Sequence, residues 1–233
     1  EEPGVSHPRL FSLALISCWF AACGAVVAQD SSPNFVLIFT DDQGYADLAC
    51  YGNKKNKTPR LDQLAKEGTR FTSFYSQTVC GPSRSALLTG RHPIRSKGWG
   101  MPAAEITFAE LMRESGYQTA CIGKWHLGLE APNLPGARGF GHFPGFLGDM
   151  MDDYYTHLRH NYNYMRFNSD EISPEGHATD LFTQWAINLI QDRKEVDQPF
   201  FLYLAYNAPH TPIQPPNDWI QKVRQREPDV SPD

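Results

Sequence analysis

Four short stretches carry residue types that could do chemistry. Asp41 and Asp42 stand side by side after the apolar run Asn34 to Thr40, with Gly44 two residues on. Adjacent carboxylates repel unless a cation neutralises them, and hard oxygen donors favour Ca²⁺ or Mg²⁺ over zinc. An acidic turn or a helix N-cap pair is the plainer reading of Asp-Asp-x-Gly alone. Cys80-Gly81-Pro82-Ser83-Arg84 reads as the opening of a helix, with the cysteine just before its N-terminus. Backbone N–H groups and the helix dipole favour an anion there, and Arg84 adds a forked donor set. The segment is therefore a reactive thiol beside an anion site, or a small buried cysteine before a helix. Lys124 with His126, and His210 between Pro209 and Thr211, complete the set. Singly they read as a surface lysine, a packed histidine and a loop histidine.

These residues need elements to hold them. Asn34 to Thr40 is a continuous apolar run without alternation, as in a parallel strand buried on both faces. Thr58-Pro59 opens a helix that Gly68 closes, with Leu61, Leu64 and Ala65 on one face. Thr107 with Glu110 forms a capping box, flanked by Ile106 and Leu111 as a hydrophobic staple, and Gly116 ends that helix. Thr119 to Ile122 is a short buried strand. Leu181, Phe182, Trp185, Ala186, Leu189 and Ile190 recur at helical spacing ahead of Arg193-Lys194. Phe200 to Tyr206 is a third apolar strand. Strands alternating with helices predict an α/β fold with a mainly parallel sheet and helices on both faces. From Gly128 to Gly176 the pattern fails, which predicts a functional loop region or partial disorder.

Composition narrows the classes. The chain has 233 residues, with 21 Lys plus Arg against 26 Asp plus Glu, a net charge of −5. That length is ample for a buried core, and the mild acidity argues against a nucleic-acid binder. Arg9 precedes an uncharged run from Leu10 to Ala28, and Val26-Val27-Ala28 offers a cleavage site. Residues 1–28 are therefore expected to be a signal peptide, with export to a periplasm or outside the cell and no stable membrane partner. An uncleaved anchor and a lipoprotein on Cys23 are the alternatives. Cleavage would leave Cys50, Cys80 and Cys121, an odd number for an oxidising compartment. The chain starts at Glu1 rather than Met and stops at Asp233 in a polar stretch, so a fragment is expected.

Together the motifs resemble a known family. Cys80-x-Pro82-Ser83-Arg84 with Leu87-Leu88-Thr89-Gly90 is similar to the signature of the type I sulfatases. Gly116-Tyr117-x-Thr119 followed by Ile122-Gly123-Lys124-Trp125-His126 is similar to a second family signature. The strand ending in Asp41-Asp42-x-Gly44 and the segment Asn207-Ala208-Pro209-His210 match in family order and spacing. The resemblance covers roughly Asn34 to Ile220 and implies the N-terminal part, residues 29–233, of an alkaline-phosphatase-like sulfatase fold, here truncated.

The resemblance also implies roles. Cys80 would be oxidised by a formylglycine-generating enzyme to formylglycine, whose hydrate attacks the sulfur of a sulfated carbohydrate or aryl sulfate. Asp41, Asp42 and modified Cys80 would bind a divalent cation, usually Ca²⁺, with Mg²⁺ the alternative. Arg84 would hold the formylglycine, Lys124 and His126 would contact the sulfate, and His210 would lie near the leaving group. Either histidine suits the general acid. Further metal ligands and a lysine are implied downstream of His210, so the chain alone is expected to be inactive. A phosphate or phosphonate monoester hydrolase, or a truncated glycan-binding product, are the rival readings. His157 and His160 are expected to be solvent-exposed and Asp152-Asp153 a polar loop. The aromatic residues from Phe140 to Phe167 line a sugar- or aryl-binding rim or simply pack. Asn56-Lys57-Thr58 is a formal N-glycosylation sequon.

Overall fold

The computed structural model describes residues 32–96 and 100–228. The expected leader of residues 1–28 lies outside them, so nothing here bears on it. Its first half holds β1 (Phe35–Phe39), α1 (Pro59–Glu67), α2 (Cys80–Thr89), α3 (Pro93–Ser96), α4 (Phe108–Glu114) and β2 (Gln118–Lys124). Five short strands follow: β3 (Pro144–Phe146), β4 (Leu158–Arg159), β5 (Tyr162–Asn163), β6 (Met165–Phe167) and β7 (Asp170–Glu171). The last elements are α5 (Ala178–Asp192), β8 (Phe200–Ala205) and α6 (Asn217–Arg226).

The main sheet has the order β1-β8-β2-β3-β6-β7. β1, β8, β2 and β3 run parallel, while β6 and β7 extend the sheet antiparallel. The apolar runs lack alternation because both faces of the central strands are covered. On β8, Phe201, Tyr203 and Ala205 pack with Leu88 of α2 and Ala109 and Met112 of α4. Its other face, Phe200, Leu202 and Leu204, packs with Ala178, Phe182 and Ala186 of α5. Helices therefore cover both faces, as expected.

Several local expectations need correction. β1 is an edge strand, not one buried on both faces: Phe35, Val36 and Ile38 are exposed, because β8 is its only partner among the described residues. The stretch 128–176 is ordered, and its loops alternate with short strands. It supplies β3 to β7, whose two- and three-residue lengths carry no readable period. α1 starts at Pro59 as expected, but Thr58 does not cap it with its hydroxyl, which instead donates to Asp62 Oδ1 at 3.0 Å. Leu61 and Leu64 are exposed, so the α1 face expected to be apolar is not packed. The capping box on α4 forms as read: Thr107 Oγ1 accepts from Glu110 N at 3.0 Å and Glu110 Oε2 from Thr107 N at 2.8 Å. His157 is buried rather than exposed, with Nε2 2.9 Å from the Gly176 carbonyl; His160 is exposed as expected. Asp152 and Asp153 do form a polar loop, holding Arg159 and the turn N–H groups of Tyr155 and Thr156. Phe140, Phe143, Phe146 and Tyr154 are core residues, which packing explains, whereas Tyr155, Tyr162 and Phe167 are exposed. Cys50 and Cys121 are unpaired. No helix among the described residues is long and apolar enough to cross a membrane.

Candidate active site

Register brings the site together. Phe39, Ala205 and Gly123 lie in line across β1, β8 and β2, so the residues just past each strand end meet at one edge. That edge, outside the carboxyl ends of parallel strands, is where open α/β sheets bind ligands. β1 delivers Asp41, β2 delivers Lys124 and His126, and β8 delivers Asn207 and His210. The Asp41 N–H donates to the Ala208 carbonyl at 3.1 Å, tying the first and last of these together. Gly123 allows the close fit: its φ is +104°, and a Cβ there would collide with the Ala205 carbonyl oxygen.

The centre is a buried ion cluster. Asp41 is 3% exposed and Arg84 and Lys124 are fully buried. Arg84 Nη2 lies 3.3 Å from Asp41 Oδ1, and Lys124 Nζ donates to Asp41 Oδ2. Arg84 Nη1 donates to the Lys124 carbonyl at 3.2 Å and to Tyr203 Oη at 3.3 Å. The Phe39 ring lies 5.3 Å from the guanidinium carbon. Two cations against one carboxylate leave an excess positive charge that favours a further anion nearby.

Cys80 is the first residue of α2, with Val79 as the N-cap, one position further in than the sequence suggested. Its Sγ lies 3.3 Å from His126 Nδ1. Arg84, four residues on, shares that helix face. His126 takes a left-handed backbone, φ +53°, and its N–H donates to the Leu147 carbonyl. Burial, then the charges of Lys124 and Arg84, push its pKa down to about 4. The imidazole is neutral at neutral pH.

His210 stands apart from that pair. Its Nε2 is 3.4 Å from Asp42 Oδ2 and its Nδ1 2.8 Å from the Thr211 carbonyl. A carbonyl accepts, so Nδ1 carries a proton and Nε2 gains one only in the imidazolium. Tyr154 Oη donates to the His210 carbonyl at 2.9 Å and fixes the loop.

The sequence reading named seven site residues, and they fall into three groups: Asp41 with Arg84 and Lys124, Cys80 with His126, and Asp42 with His210. It assigned no role to Tyr203, Asn207 or Asp149. Tyr203 is one of two hydroxyls in the apolar run FFLYLAY, which does not tell which of them meets Arg84, and burial raises its pKa to about 12. Asn207 is a polar residue at a strand end, buried, with neither amide atom hydrogen-bonded. Asp149 acts on His126 through its charge. Partial burial pushes its carboxyl up, but the Arg159 fork and the Met150 N–H hold it below the usual carboxylate range. Nothing in its loop sequence signalled this.

A divalent cation fits the site in donor type. Asp41, Asp42 and the unsatisfied amide oxygen of Asn207 are hard oxygens at adjoining strand ends. The number falls short: no group of three His, Cys, Asp or Glu side chains is gathered for a metal among the described residues. A Ca²⁺ shell takes six to eight oxygens.

Comparison with known proteins bears on family and fold. The family model described as Sulfatase matches residues 33–232. Arylsulfatase A of Homo sapiens is 48% identical over 151 residues, covering 59% of this chain and 28% of that protein. N-acetylgalactosamine-6-sulfatase of Canis lupus familiaris is 34% identical over 230 residues, covering 86% of this chain and 43% of that one. The solved structure of Ps i-CgsB in complex with k-i-k-neocarrahexaose superposes with a TM-score of 0.76 at 34% identity, covering 83% of this chain and 49% of that one. BT4656 in complex with its substrate D-glucosamine-2-N,6-O-disulfate gives 0.69 at 30% identity, over 86% and 39%. The mostly parallel sheet with helices on both faces is the alkaline-phosphatase-like fold of these enzymes. The chain belongs to the sulfatase family. It spans under half the length of each of these relatives.

Proposed function

We propose that the chain carries the N-terminal part, residues 29–233, of an exported hydrolase of sulfate esters. The observation that carries this reading is the buried Asp41–Arg84–Lys124 cluster beside the Cys80–His126 contact. It is an electropositive floor next to a nucleophile position at a helix N-terminus, which suits an ester whose charge grows in the transition state. The substrate class we favour is a sulfated carbohydrate, in keeping with the relatives named for sulfated sugars; an aryl sulfate is the simpler surrogate.

In this reading Cys80 Sγ stands where the formylglycine oxygens would be, after conversion by a formylglycine-generating enzyme. That modification would supply a hydrated aldehyde, a nucleophile with a second hydroxyl for product release. A Ca²⁺ or Mg²⁺ ion held by Asp41, Asp42 and modified Cys80 would withdraw charge from a sulfate oxygen. Arg84 would hold the modified Cys80, and the buried charges of Arg84 and Lys124 offset that of the anion. His126, neutral at neutral pH, serves the modified Cys80 as a hydrogen-bond partner. Proton donation to the leaving oxygen then falls to the imidazolium form of His210, from Nε2 beside Asp42.

Peptide mass spectrometry across Cys80, on protein from its native source, tests the reading. The expected result is a mass loss matching thiol-to-aldehyde conversion, together with hydrolysis of an aryl sulfate in preference to the matching phosphate. An unmodified thiol in active full-length protein would overturn the mechanism. Preference for the phosphate would overturn the substrate class.

A further inference from the structure

The carboxyl ends of β2 and β8 carry the candidate active site. Their amino ends, at the opposite edge of the sheet, carry two adjoining cavities of about 370 and 340 Å³. Pro144 opens β3 and lines the first; Gln118 and Phe200, which open β2 and β8, line the second. His142, Leu189 and Arg193 line both, so the two form one groove with these three residues at the junction. Each volume lies in the lower part of the range of small-molecule pockets. We infer that this groove binds a small aromatic carboxylate, its ring system in the first cavity and its carboxylate at the junction with Arg193 and His142.

The first cavity is an apolar slot lined by Phe167, Ile172, Trp185 and Leu189. Its walls are packed: the His142 ring meets Phe167 edge-on at 5.2 Å, and Trp185 lies 5.7 Å from Phe182. Aromatic walls gain most from another ring, offset-stacked or edge-on. The junction supplies donors. Arg193 is the C-cap of α5, and Arg113, which lines the second cavity, stands in the last turn of α4. Neither is in an ion pair among the described residues. A guanidinium fork matches the two oxygens of a carboxylate. His142 is fixed by main-chain bonds to β2, donating its N–H to the Thr119 carbonyl at 3.2 Å and accepting from the Cys121 N–H at 2.9 Å. Burial, then the Arg193 charge, lowers its pKa, so at neutral pH the ring is uncharged and offers one N–H. Asp192 lines the first cavity but not the second. Its charge turns a carboxylate away from the slot and towards the side where Arg113 stands. None of these residues belongs to the candidate active site, so the groove is independent of the sulfate-ester reading.

Calorimetric titration of the 233-residue protein with 2-naphthoate, and with its neutral counterpart 2-naphthalenemethanol, tests the site. The wild type is expected to bind 2-naphthoate at least tenfold more tightly than the alcohol. Arg193→Gln is expected to weaken 2-naphthoate about tenfold, the loss of one charge-assisted hydrogen bond, and to leave the alcohol unchanged, with Arg193→Lys intermediate. Arg193 caps α5 through its main-chain N–H, so these variants keep the fold, which far-ultraviolet circular dichroism verifies. The His142 ring resonances, assigned by their loss in His142→Gln, are expected to move as 2-naphthoate is added. No binding by the wild type, an affinity that Arg193→Gln leaves unchanged, or unmoved His142 resonances overturns the site.

Discussion

Asp41 holds two cations in a space with almost no solvent, and that sets the behaviour of its neighbours. Breaking such a pair by removing one partner costs about 3–5 kcal/mol, so activity lost in an Asp41 variant reports on folding as much as on catalysis. His126 is the cleaner probe. Its ordinary pKa is 6.5, and burial with Lys124 and Arg84 lowers it to about 4. As pH falls below 6.5 the unfolded chain takes up a proton that the folded chain refuses. Stability is therefore full above about 6.5 and is lost progressively as pH falls through about 4. His142 and His157, both lowered chiefly by burial, act in the same direction. His126→Gln should flatten the decline in unfolding free energy between pH 7 and pH 4.5, measured by urea titration at each pH. An unchanged slope would mean that His126 is not held neutral. The residue types of this site were legible because strand ends and a helix start fixed their places. Tyr203, Asn207 and Asp149 were not, because their roles come from partners far away in sequence.

Among the elements, α4 shows how local chemistry secures the fold behind the site. Thr107 accepts from the Glu110 N–H and also donates to the Arg138 carbonyl at 2.9 Å, all in a fully buried position. That hydroxyl joins the helix start to the turn before Gly139, whose φ of +96° and contact with the Glu110 backbone admit no side chain. Thr107→Ala should lower unfolding free energy by about 1–2 kcal/mol, one cap plus one buried hydrogen bond. The reading is a lower urea midpoint at unchanged slope, with Thr107→Ser recovering most of it. An unchanged midpoint would mean that water replaces both bonds. This box was readable because its signal spans four residues. The strands β3, β6 and β7 were unreadable for the opposite reason: each has two or three residues, and pairing across the sheet selects them. His157, His160, Asn161 and Asn168 turn the chain between them with positive φ, a conformation that composition hints at but does not place.

At the scale of the molecule, the sequence pattern of β1 and its surroundings disagree. Phe-Val-Leu-Ile-Phe has the composition of a strand buried on both faces, yet among the described residues it forms one edge of the sheet, with Val36 46% and Ile38 56% exposed. Phe71, Phe74 and Tyr75 are exposed as well. An uncharged, proline-free edge strand with open N–H and C=O groups is a template for pairing with another chain, and exposed apolar surface of this kind favours association. The described part of the protein is therefore expected to self-associate with rising concentration. Ile38→Lys places a charge on that edge without removing a buried side chain, so its effect on unfolding free energy should stay within about 0.5 kcal/mol. Light scattering coupled to size exclusion, run over a concentration series, should show the weight-average mass climbing in the wild type and held near the monomer in Ile38→Lys. If both stay monomeric at every concentration, the edge is protected by something other than charge. If both associate equally, the adhesive surface lies elsewhere, with the exposed aromatic residues from Phe71 to Tyr75 next to be substituted.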